Sequence, residues 1–130
     1  MLYNWHIIGH NKQLEALERD IANNNIAHAY LFSGPQGTGK VLVAKTLAAI
    51  LQCPKHFCKE CPTCVQIKNN CHYDTIMIAD EQESIKIERI RDLIQSLSLT
   101  AQARYKVVII MAIERITREA ASALLKTLEE

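Results

Sequence analysis

A chain of 130 residues, 48% hydrophobic and 22% charged, has the composition of one folded domain rather than of a disordered or fibrous segment. Its 15 Lys+Arg against 14 Asp+Glu leave a net charge of +1, so no global positive field announces nucleic acid or an anionic membrane, and any DNA contact has to be local. The longest apolar run, Val107 to Ile113, is far short of the roughly 20 residues that cross a bilayer. The opening "MLYNWHIIGHNKQ" lacks the basic patch, apolar run and cleavage site of a secretory signal, which predicts a cytoplasmic protein without membrane partners.

After "IIGHN", Leu14, Leu17 and Ile21 recur at helical spacing while Glu15, Glu18, Arg19 and Asp20 take the other faces, which predicts an amphipathic helix stopped by Asn23 to Asn25. "AHAYLFSG" then reads as a short buried strand running into a glycine turn. Past Lys40, "VLVAKTLAAILQ" is apolar on almost every side, too long for a strand and free of Gly and Pro, so it is expected to be a deeply packed helix. A cysteine-rich insertion follows. "DTIMIAD" is expected as a second strand, "KIERIRDLIQSLSL" as a helix with Ile87, Ile90, Ile94 and Leu97 on one stripe, and "YKVVIIM" as a third strand. The last helix begins near Thr117, a plausible N-cap, with Ala121, Leu124, Leu125 and Leu128 on one face. Strands alternating with helices predict an α/β domain built on a mainly parallel sheet.

The stretch "GPQGTGKV" carries the glycines and lysine of G-x-x-x-x-G-K-[ST], in which backbone N–H groups turn toward phosphate oxygens at a helix N-terminus whose dipole favours anions. Gly34, Gly37, Thr38, Gly39 and Lys40 are the candidate nucleotide-binding residues. The hydroxyl that would ligate magnesium is replaced by Val41, which can coordinate nothing. Hydrolysis also needs an acidic residue at the end of a neighbouring strand. Met111 and Ala112 stand there instead, and Glu114, the first carboxylate, reaches such a site only through a bulge or register shift. No catalytic residue is expected, and ATP, if held, lacks good magnesium coordination.

Four of the five cysteines, Cys53, Cys58, Cys61 and Cys64, fall in the spacing C-x4-C-x2-C-x2-C. A reducing compartment disfavours disulfides, and four thiolates this close can close a tetrahedron around structural Zn2+ with bonds of about 2.3 Å. An iron–sulfur cluster, a redox pair or a metal-free loop are the competing readings, and His56 lies inside the run as an alternative to Cys53. Cys71 stands apart and reads as an ordinary small residue. A zinc-stabilised nucleic-acid module is disfavoured, because Lys55, Lys59 and Lys68 are the cations near the cysteines and no aromatic ladder accompanies them.

Nearly the whole chain resembles the bacterial DNA polymerase III clamp-loader subunits of the AAA+ class. The residues that carry the resemblance are "IIGHNKQLEALERDIANNNIAHAYLFSGPQGTGK", the four-cysteine insertion, "HYD", "IKIERIRDL" and "REAASALLKTLEE". The resemblance implies a P-loop AAA+ parallel sheet with helices on both faces, residues 1–130 being the N-terminal part of that domain and residues 53–64 an inserted zinc-binding knob. It places Ile7, Ile8 and Gly9 by an adenine pocket. It implies the delta and tau/gamma subunits as partners and, through them, the sliding clamp and primed DNA. Within the family the tau/gamma pattern is that of an ATPase, whereas delta-prime chains often have degenerate nucleotide motifs; Val41, Met111 and Ala112 favour the delta-prime pattern of a non-catalytic, stator-like subunit.

One departure is expected to matter. Relatives continue into a further core strand, a Ser-Arg-Cys motif, a lid and a collar. A chain closing at Glu130 is expected to be truncated, lacking the strand that joins its phosphate-loop strand to "VVII", and to be poorly soluble or partly unfolded alone.

Overall fold

The structure, a computed structural model, describes residues 3, 5, 7–35, 37–78, 84–97 and 105–129. It divides into two compact units, Met1–Asn69 and Asn70–Glu130.

The first unit is helical. Helix α1 (Asn11–Ala22) sits where the period predicts it. Its end is a Schellman turn: Asn24 takes a left-handed φ of 54°, its N–H bonds the Ile21 carbonyl at 3.1 Å, and the Asn25 N–H bonds the Asp20 carbonyl at 2.8 Å. Asparagine tolerates that conformation better than most side chains, which is why a triple-Asn stretch stops the helix cleanly. Helix α2 (Lys40–Gln52) buries Val43, Leu47 and Ile50 against Leu14, Leu17 and Trp5. Helix α3 (Pro62–Lys68) was not legible in the periodicity, but it has a proline at its first position and Cys61 as its N-cap.

Two expectations fail in this unit. Glu18 does not lie on the solvent side of α1: it is buried, and its Oε1 accepts from the Trp5 Nε1–H at 2.7 Å and the Tyr3 N–H at 3.0 Å. A carboxylate taken out of water needs such donors. Glu18→Ala is therefore expected to cost about 2–3 kcal/mol, because it strips a charged acceptor from donors held beside the core; chemical denaturation checks this, and Glu18→Gln should recover part of the loss. The second failure is the strand expected in "AHAYLFSG". Tyr30 and Phe32 do pack on the core, but Leu31 between them is 76% exposed and the segment is not part of a sheet. An extended segment becomes a strand through bonds to a neighbour, and among the described residues this one has no ladder partner.

The second unit holds the sheet. Strands β1 (Thr75–Ile78) and β2 (Val107–Ile110) pair in parallel, with Thr75 opposite Val107 and Ile78 opposite Ile110. The connection between them carries helix α4 (Ile87–Leu97), as a parallel pair requires. Ile76, Ile78, Val108 and Ile110 share one sheet face and pack with Ile90 and Leu93 of α4 and Ala120 of helix α5 (Arg118–Glu129). Ile90 is fully buried, so Ile90→Ala is expected to destabilise this unit by about 3–4 kcal/mol through lost transfer energy and a residual cavity, read from a denaturation midpoint.

The third strand, expected over "YKVVIIM", spans only Val107–Ile110. Ala112 turns left-handed (φ 55°), residues Ile113–Arg115 form a 3-10 turn, and Ile116 then makes an isolated parallel bridge with Ile85. The apolar side chains past Ile110 thus fill a turn, a use that composition alone does not separate from a strand. Helix α5 starts after Thr117, whose Oγ1 accepts the Ala120 N–H at 3.2 Å. Its buried face is Ala120, with Ala123 and Leu124 packed beside it, one residue off the expected stripe; Leu125 and Leu128 are 58% and 43% exposed. No helix among the described residues is long and apolar enough to cross a membrane.

Candidate metal centre and phosphate loop

The end of α2 and the start of α3 bring Cys53, Cys58, Cys61 and Cys64 together, with all four sulfurs within 4.8 Å of one another. Their Sγ separations include 3.5 Å for Cys53–Cys61, 3.8 Å for Cys53–Cys58 and 4.0 Å for Cys58–Cys64. A tetrahedron with Zn–S bonds of about 2.3 Å has edges of about 3.8 Å, so the donor set and its spacing fit a four-coordinate metal ion. The backbone is shaped for this. His56, Phe57 and Lys59 take left-handed φ values of 57°, 77° and 69°, a cost non-glycine residues bear only where surroundings enforce it. The resulting turn aims the Glu60 and Cys61 N–H groups at the Cys58 sulfur, at 3.4 and 3.2 Å, and the Cys64 N–H at the Cys61 sulfur, at 3.4 Å.

These donors set the thiol chemistry. Burial pushes the Cys53 thiol up, but the backbone N–H groups of Cys58, Lys55 and Phe57 outweigh it and hold it at about 6. The N–H groups of Glu60 and Cys61 likewise lower Cys58. Cys64 has the opposite fate, pushed up to about 12 chiefly by burial. His56, the alternative fourth ligand, stands outside the sulfur group: its Nδ1 lies 3.3 Å from the Ile50 carbonyl oxygen and its ring 5.2 Å from that of Tyr3. Cys71 is exposed and belongs to no group of this kind among the described residues.

The loop before α2 carries Gly34, Gly37, Thr38 and Gly39, and Lys40 is the first residue of that helix. Gly37 and Gly39 have φ of 81° and 84°, which glycine adopts freely and which turns successive peptides around the loop. Lys40 Nζ donates to the Gly34 carbonyl at 2.7 Å and Thr38 Oγ1 to the Pro35 carbonyl at 2.9 Å, closing the loop on itself. Gly39 caps α2 without a side-chain bond, so the N–H groups of its first turn have no side-chain cap. Val41, half-buried, occupies the second position of that helix. A contact the sequence did not suggest joins the loop from outside: His10 Nε2 lies 2.8 Å from the Thr38 carbonyl oxygen. A histidine at an N-cap position, where Ser, Thr, Asp or Asn is usual, was the available signal. In the second unit, Met111 is exposed just past β2, Ala112 is in the left-handed turn, and Glu114 is exposed in the 3-10 turn.

The family model described as DNA polymerase III, delta subunit, matches residues 9–130, and the chain belongs to this family of clamp-loader subunits. DNA polymerase III subunit tau of Escherichia coli (strain K12) is 36% identical over 129 residues, 95% of this chain and 20% of that protein. Subunit tau of Bacillus subtilis (strain 168) is 36% identical over 130 residues, 95% of this chain and 23% of that protein. Subunit delta' of Pseudomonas aeruginosa is 38% identical over 111 residues, 80% of this chain and 34% of that protein. The chain spans about a fifth to a third of the length of these relatives.

Proposed function

We propose that this protein is a non-catalytic, stator-like subunit of the DNA polymerase III clamp loader, helping to place the sliding clamp on primed DNA while ATP is hydrolysed by neighbouring subunits. The observation that carries the reading is the loss of oxygen ligands: Val41 where the loop needs a hydroxyl, and Met111 and Ala112 where the strand end needs a carboxylate. Its partners are then the delta and tau/gamma subunits, in the cytoplasm. Residues 1–130 belong to an AAA+ phosphate-loop domain with helices on both faces of its sheet. Within it, residues 53–64 are a knob held by Zn2+ on Cys53, Cys58, Cys61 and Cys64, a reading supported by the sulfur spacing. Such a site has no open coordination position, so its role is to fold a segment too short for a core of its own. Gly34, Gly37, Thr38, Gly39 and Lys40 hold the phosphates of a nucleotide without fixing a magnesium ion.

A second reading, an ATP-hydrolysing tau/gamma-type subunit, is favoured by the identity of 36% to the two tau subunits across 95% of this chain. Reconstituted clamp loading with the complete protein separates the two. Lys40→Ala is expected to leave loading within about twofold of wild type in the scaffold reading; a loss of the order of 10²-fold, the scale of a removed phosphate-stabilising group, supports the ATPase reading instead.

A further inference from the structure

The geometry points to His10 as a positioning residue for the phosphate loop, an inference that rests on the reading of that loop as a nucleotide site. Features of both its backbone and its side chain converge on it. Gly9 and His10 are consecutive left-handed residues, with φ of 85° and 58°. His10 is the N-cap residue of α1, and its carbonyl accepts the first helical bond, from the Leu14 N–H at 3.0 Å. Yet its side chain makes no capping bond to the helix. The ring instead spans to a residue 28 positions away, and its Nε2 meets the Thr38 carbonyl oxygen at 2.8 Å. A carbonyl can only accept, so Nε2 carries the proton and donates.

Thr38 is the residue between the loop's two left-handed glycines. Nothing about Gly37 and Gly39 fixes the peptide planes on either side of it, because glycine's permissiveness lets each plane rotate. The carbonyl that His10 grips belongs to the Thr38–Gly39 peptide, so the same plane carries the Gly39 N–H at the mouth of α2. Anchoring one end of this peptide fixes the direction of the other. Thr38 Oγ1, bonded to Pro35 O at 2.9 Å, ties the opposite side of the same residue to the start of the loop. His10 thereby pre-orders N–H groups that phosphate oxygens would meet, and binding no longer has to restrict them. The ring is exposed and packs into no core, so a purely structural role in the fold accounts poorly for a strained N-cap that gives up its own cap.

The test uses the complete protein, His10→Ala and His10→Gln, with ADP as the probe in EDTA, followed by calorimetry, and amide hydrogen exchange across residues 37–41 without nucleotide. His10→Ala is expected to weaken ADP about fivefold, the equivalent of one net hydrogen bond, and to speed exchange of the loop amides. His10→Gln, which keeps a donor, is expected to restore both to within about twofold. Lys40→Ala serves as the reference. If Lys40→Ala loses ADP while His10→Ala changes neither affinity nor exchange, the role assigned to His10 is wrong and the nucleotide site stands. If wild-type protein takes up no ADP, the nucleotide reading falls and this inference with it. Equal loss in the Ala and Gln variants, with no change in loop exchange, also overturns it.

Discussion

Prolonged exposure of the complete protein to a strong chelator is expected to release one equivalent of zinc and to melt the segment from Cys53 to the end of α3. The four sulfurs lie within 4.8 Å of one another, and Phe57 is the one large apolar side chain the knob itself contributes between Cys53 and Cys64. Too little apolar surface is available there to offset the entropy of ordering a turn with three left-handed residues, and a metal ion held by the four sulfurs would supply the difference. Structural zinc in small finger peptides binds with about 10–16 kcal/mol at neutral pH, ample for the task. Cys64→Ser should lose the metal altogether and lower stability by about 3 kcal/mol or more, because Cys64 and Ile67 are both buried on α3, which packs on α2. Metal content by atomic absorption and a thermal melt check both statements. A protein that purifies without zinc and melts unchanged after Cys64→Ser contradicts the structural role.

Acid should release the metal, and the sign follows from the thiols. Metal holds thiolates, so protons compete with it. In the metal-free cluster Cys64, pushed up to about 12 by burial, is protonated at neutral pH and must surrender that proton on binding. Its contribution alone weakens affinity about tenfold for each unit the pH falls. Cys53 is already a thiolate at neutral pH, because N–H donors outweigh its burial and hold it at about 6; below that point it too must lose a proton, and the dependence steepens by a second factor of about ten per unit. Zinc affinity measured against a competing indicator across pH 5 to 8 should therefore show a bend near 6 rather than a straight line.

The sequence carried the parts of this architecture that depend on local pattern. The stripe of Leu14, Leu17 and Ile21, the long apolar run of α2 and the spacing of the four cysteines each state their outcome within a dozen residues. What it did not carry depends on partners far along the chain. Tyr30 and Phe32 alternate with Leu31 as a strand should, but a strand exists only when a neighbour offers its N–H and C=O groups. Glu18 looked like a solvent-facing acid because period alone cannot register that the Trp5 indole lies across the helix from 13 positions away. Helix α5 defeats pattern reading for another reason. In "REAASALLKTLE" the set Ala120, Ala123, Leu124 and the set Ala121, Leu124, Leu125, Leu128 both have helical spacing, and packing chooses the smaller side chains. Leu93, buried beside Ile90, likewise lies off the stripe of Ile87, Ile90, Ile94 and Leu97 that the helical period suggests.

Magnesium-dependent ATP turnover by the complete protein is expected to stay at background. Phosphoryl transfer leaves a protein little covalent chemistry to perform, so the rate rests on charges placed around the transferring group. Each such group typically supplies about 10²–10³ in rate, and this chain lacks two: the hydroxyl at Val41 and the acid at the strand end. Their combined loss amounts to about 10⁴-fold or more, which takes turnover below detection. Restoring one group should then restore nothing measurable. Val41→Thr returns a hydroxyl to the second position of α2, but Met111 and Ala112, at the corner where the chain leaves β2, still supply no carboxylate. Glu114→Gln should be equally silent, since Glu114 sits exposed in the 3-10 turn past that corner. Steady turnover by the wild type, abolished by Glu114→Gln, would mean that the turn after β2 rearranges to bring this carboxylate onto magnesium, and the chain would then have to be read as an ATPase of the tau/gamma kind.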